Sequence, residues 1–409
     1  MNPQVQQPVF HMPFTARLNP HLEQTRVHVK EWAHQVGLLA PEYTAPWPER
    51  WSERKFDEAD FPLWTALTHP DTGVDELNLV TDWHVALWFV DDLFLPLFRQ
   101  HNDRVAARRQ VDRLMEFLPI DALPRTQPAP QNPMERAFVD LWPMTAPSMS
   151  PAWRLRFRSD VERFLHGVLW ELDHLEHDNR QEQGGQEGIV DPIEYVQVRR
   201  EFGGLPMTST LMEHGLGEIP ENVYRLRSFQ SALRAFADVI SLHNDIVSYD
   251  REVAEGTVDN NGVEVLRKAL DCDLQQAAHL LNAQLTARVG TLQHTADAEM
   301  SRVLADEGLP EPLTSRITGY LQALQSATAG SYAWHEQTGR FRQPAGPERG
   351  FVPHGPTGLG TSAARLTKAS EQAARRRLRP RLPAMVAHLP TEMGRRGPLE
   401  GQVTRQVVP

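Results

Sequence analysis

Apolar residues recur at steps of three and four positions along most of the chain, which is the spacing of one face of an α-helix. One such stripe covers residues 153–175, and a second covers residues 229–240. A further helix is predicted to begin at Pro192, because Asp191 suits the N-cap and Glu194 suits the capping-box position. Alternation of the kind that builds β-strands is scarce. The pattern therefore predicts an all-α fold.

Stretches rich in Pro and Gly separate the helical segments and divide the chain into parts. These stretches lie at residues 41–48, 119–133, 181–188 and 217–220. Near the C-terminus, residues 343–361 have the composition of a linker, and residues 362–379 are compatible with a basic helix. We predict an N-terminal segment at 1–20, a helical domain at 21–342, and a linker with a basic tail of low order at 343–409. The tail is not expected to be an independent domain.

Hydrophobic residues make up 40% of the 409 residues and charged residues 23%, which is typical of a folded globular chain. No apolar run is long enough to cross a bilayer, and the N-terminus lacks the basic and apolar regions of a signal peptide. Cys272 is the single cysteine, so an intrachain disulfide is impossible, which suits a reducing compartment. The sequence therefore predicts a cytoplasmic protein without a membrane span.

The net charge of −11 is unevenly distributed along the chain. The segment from Gln343 onward carries +7, and the part before it carries −18. This acidic part would repel the phosphates of a nucleic acid, so no nucleic-acid partner is predicted. If such a protein binds a phosphorylated small molecule, it needs metal ions or a few placed arginines to balance the charge.

Two adjacent carboxylates, Asp91 and Asp92, follow a strongly apolar run that begins at Trp83. An acid at the end of an apolar helix can hold a hard cation at the mouth of an apolar cavity, and magnesium prefers oxygen ligands. The alternative is a helix end that faces solvent. The pair of Asp residues alone does not decide between the two.

A second polar group consists of Asn244, Ser248 and Glu252, spaced at intervals of four. On an α-helix these side chains lie on nearly one face over about two turns. Amide, hydroxyl and carboxylate oxygens form a ligand set that suits magnesium. Because Asn and Ser are weak helix formers, their presence within a helix favours a binding role over an ordinary polar surface.

Arginines near these motifs are candidates for phosphate binding, since a guanidinium group donates forked hydrogen bonds. Arg199 and Arg200 end the helix that is predicted to begin at Pro192, just before Gly203. Arg340 lies near the end of the helical part. Each of these arginines alone also fits a solvated surface position.

Together these motifs resemble those of bacterial class I terpene cyclases, and most closely the N-terminal half of germacradienol/geosmin synthases. The resemblance covers about residues 8–342 and includes a linker-like stretch at 355–365. The Asn-Ser-Glu spacing is a specific motif within it. Further stretches that carry the resemblance are Phe10-His11-Met12-Pro13-Phe14, Ala16-Arg17-Leu18-Asn19-Pro20-His21-Leu22, Thr68-His69-Pro70-Asp71, Thr81-Asp82-Trp83, Glu194-Tyr195, Gly203-Gly204 and Arg251-Glu252.

The resemblance implies a helical barrel that ionises a prenyl diphosphate with Mg²⁺ as cofactor. The implied metal ligands are Asp91, Asn244, Ser248 and Glu252. The implied diphosphate-binding residues are Arg199, Arg251 and Arg340, with Arg200 as the alternative to Arg199. Gly203 would help to trigger ionisation through its carbonyl group, and Asp92 would support Asp91 without binding the metal.

Ionisation leaves an allylic cation that must be shielded from water. Trp88 precedes Asp91 by three positions, so its indole is expected on the same helix face, where it can stabilise a cation. Phe202 and Trp334 are further candidates, and His84 is a candidate for a polar corner that holds a quenching water. For each aromatic residue, ordinary core packing is the alternative.

Three departures from the family pattern bear on the activity. Leu95 and Pro96 stand where the first motif often has another acid, and Phe341 follows Arg340 where a tyrosine is usual. The stretch after the linker lacks the motifs of a second cyclase domain. These departures leave open a degenerate protein that binds a prenyl diphosphate without turning it over.

The predicted activity is a magnesium-dependent cyclisation of farnesyl diphosphate, to germacradienol or a related C15 product. C10 and C20 diphosphates stay open as substrates, and so does a homodimeric assembly. A chain-elongating prenyl diphosphate synthase would need a second Asp-rich motif where Asn244 to Glu252 stand, which argues against that class.

Overall fold

The computed structural model describes residues 4–39, 51–99, 103–121, 128–181 and 190–341. These residues form helices joined by turns, and the described ranges contain no β-strand. The predicted all-α fold is therefore confirmed. The predicted linker and basic tail lie outside the described residues, and the division at residue 342 stays a prediction.

The helix bounds in the described ranges follow the chain in order. The helices before residue 203 are α1 (Leu22–Val36), α2 (Glu53–Ala59), α3 (Phe61–Thr68), α4 (Val74–Arg99), α5 (Arg104–Glu116), α6 (Pro133–Thr145), α7 (Pro151–Gln181) and α8 (Pro192–Phe202). Those after it are α9 (Leu205–Leu216), α10 (Glu221–Tyr224), α11 (Arg227–Glu255), α12 (Gly262–Leu270), α13 (Leu274–His294), α14 (Met300–Asp306) and α15 (Glu311–Gln337). None of the helices in these ranges combines the length and apolarity that crossing a bilayer demands.

The two apolar stripes of the sequence lie in α7 and α11, where they face the core. Phe157 on α7 and Phe229 and Phe236 on α11 are fully buried. The predicted start of α8 is also found, because the Asp191 side chain accepts hydrogen bonds from the backbone N–H of Ile193 and Glu194. This start is a simple Asp cap, and the reciprocal bond of a capping box is not formed there.

Helix packing brings α3, α4, α7, α8, α9, α11 and α15 around one interior space. Helix α15 packs against α3, α9 and α11, and α7 packs against α4, α8 and α9. The aromatic core is continuous with this space, since Trp88 packs against the largest buried cluster. The long helices thereby hold the polar motifs of α4, α8 and α11 at fixed positions around one cavity.

The segment before α1 lies extended along the helical body. The backbone carbonyl of Val9 accepts a hydrogen bond from Asn282 of α13, and the Phe10 ring meets the ring of His243 edge-on at 4.5 Å. The buried Asn19 amide donates to the carbonyls of His69 and Thr72. These contacts order the segment although it contains no helix.

Candidate active site

The interior space is a cavity of about 550 Å³, within the range of about 300–1,000 Å³ that is usual for small-molecule sites. Its lining changes from apolar to charged along two helices. On α4 the order is His84, Trp88 and then Asp91, and on α11 it is Ile240, Asn244 and then Glu252. The cavity therefore has an apolar part and a charged part, side by side.

Aromatic rings form much of the apolar part. Trp88 stacks on Phe61 with ring centroids 4.4 Å apart and on Trp334 at 5.8 Å, and Trp64 meets it edge-on at 5.2 Å. The cavity-lining rings, called here the aromatic wall, are Trp64, Trp88, Phe164, Phe202 and Trp334. The structure thus places all three aromatic residues singled out in the sequence in the cavity lining.

Asp91 lies one helical turn after Trp88 and lines the same cavity. Helix α4 continues to Arg99, so the two aspartates lie within the helix and the alternative of a solvent-facing helix end is wrong. Burial, together with the neighbouring charge of Asp92, raises the pKa of Asp91 to about 6. A nearby cation would therefore stabilise the ionised form of this carboxyl group.

Asp92 is engaged by groups from distant parts of the chain. Its carboxylate accepts two hydrogen bonds from the Arg340 guanidinium, at 2.9 and 2.7 Å, and one from the Trp51 indole at 3.1 Å. A forked pair of this kind fixes both side chains. This pairing agrees with the interpretation of Asp92 as a supporting residue and places Arg340 at the charged part of the cavity.

The Asn-Ser-Glu motif lies on α11 as predicted. Asn244 and Glu252 line the cavity, and Ser248 is fully buried between them. The Glu252 carboxylate accepts a hydrogen bond from the Asn261 amide at 2.9 Å, and burial raises its pKa. The Ser248 hydroxyl lies close to Glu252, but no hydrogen bond of good geometry satisfies its oxygen among the described residues.

The structure separates the two adjacent arginines of α8. Arg199 faces the cavity, where its guanidinium donates to Asp245 at 2.8 Å and to the Asn244 oxygen at 2.9 Å. Arg200 points away from it and forms a two-point ion pair with the buried Asp238. Geometry therefore favours Arg199 as the residue available to a ligand in the cavity.

Arg251 also lines the cavity, and its Nε atom is buried without a hydrogen-bond partner among the described residues. Its guanidinium lies over the Phe341 ring at 5.3 Å. Phe341, which stands where the family usually has a tyrosine, therefore supports Arg251 from one side. A buried arginine with an unsatisfied donor is suited to an anionic ligand.

Gly203 ends α8 at the cavity wall, where a larger residue does not fit. A Cβ atom added there would lie 2.8 Å from the Ser241 hydroxyl and 2.9 Å from the Arg199 carbonyl oxygen. The glycine therefore allows the backbone of α8 to approach α11 closely, next to Arg199.

Sequence reasoning missed Glu171, a buried acid on α7 that lines the cavity. Burial, together with the negative charge of Asp91, raises the pKa of Glu171 to about 8. It also missed Asp245, which accepts hydrogen bonds from Arg199 and Tyr195 and so orients that arginine. For Glu171 the available signal was an acid within the apolar stripe of α7, and a single acid of this kind does not by itself predict a binding site.

Among the described residues that line the charged part of the cavity, carboxyl groups outnumber guanidinium groups. Its acids are Asp91, Asp92, Glu171, Asp245, Glu252 and Glu255, and its bases are Arg199, Arg251 and Arg340. The two histidines of the lining, His84 and His335, add no positive charge near pH 7, because burial lowers the pKa of each to about 4. An anion cannot enter such a site favourably unless cations enter with it.

The residues present fit a hard divalent cation. Among the described residues no three His, Cys, Asp or Glu side chains are grouped closely enough to hold a metal ion, so a ligand set must include other oxygen donors. Asn244 and Ser248 supply such donors, and the unsatisfied Ser248 oxygen is the kind of buried atom that a metal would satisfy. Nitrogen and sulfur ligands, which softer metals favour, are not part of this set.

An α-helical barrel whose aromatic cavity adjoins acids and arginines defines a class I terpene cyclase. Residues 82–290, just over half of the chain, match the family described as "Terpene synthase family 2, C-terminal metal binding". The chain therefore belongs to the terpene synthase family, and it is an enzyme of the bacterial class I type. The family description also implies that a divalent metal binds.

Curated relatives and solved structures agree with this assignment. The chain is 28% identical to pristinol synthase of Streptomyces pristinaespiralis over 332 residues, which cover 81% of this chain and 83% of the relative. It is 25% identical to 7-epi-alpha-eudesmol synthase of Streptomyces viridochromogenes over 334 residues, 81% of this chain and 91% of the relative. The germacradien-4-ol synthase structure from Streptomyces citricolor, at 21% identity, superposes with a TM-score of 0.68 over 81% of this chain and 99% of its own, which supports the fold.

Proposed function

We propose that this enzyme is a magnesium-dependent sesquiterpene cyclase that ionises farnesyl diphosphate and cyclises the resulting cation. The observation that carries the proposal is that the aromatic wall adjoins the charged part of the same cavity, where the described acids outnumber the arginines. The names of two relatives support the substrate. The 7-epi-alpha-eudesmol synthase of Streptomyces viridochromogenes and the (-)-beta-caryophyllene synthase of Saccharothrix espanaensis are both described as cyclising (2E,6E)-farnesyl diphosphate. The cavity volume is compatible with a small prenyl chain.

The residues proposed to hold the metal are Asp91, Asn244, Ser248 and Glu252. When bound, magnesium supplies positive charge that neutralises the diphosphate as it departs. The chain contributes by holding these side chains at the cavity wall, with Ser248 fully buried. It also keeps Asp92 engaged with Arg340, so that Asp91 is the aspartate of the pair left for the metal. Burial of Asp91 and Glu252 makes their negative charges costly until a cation arrives.

Arg199, Arg251 and Arg340 are proposed to bind the diphosphate. All three guanidinium groups line the charged part of the cavity, where they would donate hydrogen bonds to oxygens on which charge develops. Arg199 is held by Asp245 and Asn244, so its position is coupled to a proposed metal ligand. Gly203, one turn after Arg199, is proposed to contribute its backbone carbonyl near the reacting end of the substrate.

The aromatic wall is proposed to shield the allylic cation. Trp88 presents its ring beside Trp64 and Trp334, and indole faces attract cations by about 2 kcal/mol or more when water is excluded. Because the Trp64 and Trp334 indoles donate to Ser331 and to the carbonyls of Ala59 and Asp60, their rings are fixed in orientation. A fixed wall favours one folded conformation of the substrate over others.

One incubation series tests the proposal and its alternatives. Purified protein is given the C10, C15 and C20 prenyl diphosphates with and without magnesium, and released diphosphate and volatile products are measured. We expect magnesium-dependent release with cyclic C15 products from farnesyl diphosphate. Binding without diphosphate release would instead support the degenerate binding protein, and preferred turnover of another chain length would replace the substrate.

The product is proposed to be an alcohol at or near the germacradienol stage, formed when water quenches a cation. His84, the residue proposed for the polar corner that holds this water, lines the cavity, and both of its ring nitrogens have hydrogen-bond partners. Its Nδ1 donates to the Val80 carbonyl at 2.7 Å, so its Nε2 can only accept, and the Thr208 hydroxyl lies 3.0 Å from it. The same hydroxyl lies 3.1 Å from the Gly204 carbonyl, so these two acceptors compete for its one proton. The lone pairs of the Thr208 oxygen are therefore the acceptors that this corner offers to a water molecule.

Replacement of Thr208 by Val is expected to shift the products from alcohols to hydrocarbons several-fold while diphosphate release continues. Valine keeps the shape of threonine and removes the hydroxyl that would hold the water. Thr328→Val, a buried threonine of α15 whose hydroxyl donates to the Leu324 carbonyl, is the matched control. Mass spectrometry of the products decides, and an unchanged alcohol fraction in Thr208→Val contradicts the assignment of this corner.

Geosmin from the wild-type chain would contradict a product that stops at the germacradienol stage.

Truncation near Pro344 is expected to leave cyclisation largely intact. The segment after Arg342 lacks core-forming periodicity and metal motifs, and the proposed metal ligands, arginines and aromatic wall all lie before it. The rate of diphosphate release from farnesyl diphosphate is compared for the full and the truncated chain. Loss of both solubility and activity would show that the tail packs on the helical domain.

A further inference from the structure

We propose that His335 is a positioning residue that fixes the amide orientation of Asn244, so that the Asn244 oxygen faces the metal site. The inference rests on the proposed function, because it assigns a role toward the proposed metal ligand. No motif singled out this role, since His335 lies on α15, 91 positions after Asn244. The argument depends on which atoms of each group can donate.

The His335 ring has a defined tautomer. Its Nδ1 lies 2.7 Å from the backbone carbonyl oxygen of Ser331, which can only accept, so Nδ1 carries the proton. In the neutral ring Nε2 is then a pure acceptor, and it lies 3.1 Å from the Asn244 amide nitrogen. The ring itself is held by a stack on Phe341, with centroids 5.0 Å apart and an angle of 11° between the planes.

Two partners of opposite character therefore hold the Asn244 amide. The Arg199 guanidinium can only donate, so it requires the amide oxygen, at 2.9 Å. His335 Nε2 can only accept, so it requires the amide NH₂ group. If the amide were rotated by 180°, both hydrogen bonds would be lost, because NH₂ would face a guanidinium and oxygen would face a lone pair. Asn244 is thereby presented with its oxygen toward Arg199 and the cavity.

This orientation matters because the oxygen of an amide binds a hard cation and the nitrogen does not. A glutamate or aspartate ligand needs no such control, since its two oxygens are equivalent. An asparagine ligand does need it, and residues outside the ligand set commonly supply it, with losses of about 10- to 100-fold in metal affinity when they are removed.

The test uses the full-length protein and measures binding of inorganic diphosphate at increasing magnesium concentration by calorimetry, without turnover. His335→Phe keeps the ring and its stack but removes the acceptor, and His335→Gln offers an acceptor without the ring. We expect His335→Phe to raise the half-saturating magnesium concentration about tenfold and His335→Gln to restore most of the affinity. A role in packing alone predicts the opposite order, with Phe tolerated better than Gln, and that order would overturn the proposal.

The same substitution in an Asn244→Asp variant separates the effect of His335 on the Asn244 amide orientation from its other effects. In Asn244→Asp the side chain has two equivalent oxygens, so His335→Phe should cause no further loss of magnesium-dependent diphosphate binding. A loss in this background as large as in the wild-type background would also overturn the proposal. Circular dichroism and Tm verify the fold, and His335→Leu replaces the Phe variant if the latter does not fold. If the wild-type protein shows no magnesium-dependent diphosphate binding, the proposed function fails instead, and the two failures are distinguishable.

Discussion

Glu252→Ala is expected to lower the rate of diphosphate release from farnesyl diphosphate by about 10²- to 10³-fold at limiting magnesium, while the fold survives. The charge-neutralising effect of a bound metal amounts to several kcal/mol at the transition state, and each 1.4 kcal/mol is about tenfold in rate. Glu252 is the carboxylate of the Asn-Ser-Glu face, and its nearest ion-pair contact, with the Arg251 guanidinium, is long at 4.0 Å. Asn244→Ala is expected to act in the same direction.

Asp250→Asn is the matched control for this experiment. Asp250 is an acid of the same helix, two positions before Glu252, but its carboxylate accepts a hydrogen bond from the Val5 backbone and does not line the cavity. The control should therefore keep turnover near the wild-type value. Rates are measured over a magnesium titration, with circular dichroism to verify the fold. Turnover of Glu252→Ala at the wild-type level in limiting magnesium would contradict its assignment as a ligand.

Gly330→Ala is expected to destabilise the protein by about 3 kcal/mol or more, with a fall in Tm of about 6–12 °C. A Cβ atom added at Gly330 of α15 would lie 2.1 Å from the backbone carbonyl oxygen of Leu67 on α3. Backbone atoms cannot move aside as a flexible side chain can, so the two helices must separate. The same helices carry Trp64 and Trp334, so a loss of the aromatic wall should accompany the loss of stability.

Gly319→Ala provides a control within the same helix. Among the described residues, a Cβ atom at Gly319 meets nothing within 4 Å apart from its own helical turn. This substitution should therefore stabilise the protein by up to about 1 kcal/mol through the higher helix propensity of alanine. Thermal unfolding at one scan rate gives both values. Equal Tm values for Gly330→Ala and the wild type would show that α3 and α15 do not approach each other as closely as the structure has them.

The charge balance of the cavity predicts that metal binding and diphosphate binding depend on each other. Among the described lining residues the arginines are fewer than the acids, so we expect metal binding to come before or with diphosphate binding. The structure links the two through Arg199, which contacts the proposed ligand Asn244 and its neighbour Asp245. A diphosphate that draws Arg199 away also changes the environment of a metal ligand, so the two binding events are expected to be coupled.

The sequence by itself determined the fold class and the residues that share a helix face. The period of the α-helix fixes the relative directions of side chains on one helix, so Trp88 could be placed with Asp91, and Asn244 with Glu252, without any knowledge of the neighbours. The same reasoning located the start of α8, because a capping residue acts on backbone groups only two or three positions away. All of these are local relations, and the structure agrees with them.

Only the tertiary structure decided which helices face each other, because that choice depends on the packing of whole apolar surfaces. Neighbouring residues on a helix point about 100° apart, so the direction of Arg199 rather than Arg200 toward the cavity follows from how α8 is rotated against its neighbours. The pairing of Asp92 with Arg340, 248 positions later, depends in the same way on how α15 packs. Glu171 becomes a site residue and His335 a partner of Asn244 only because α7 and α15 meet the same cavity, and no local pattern contains that information.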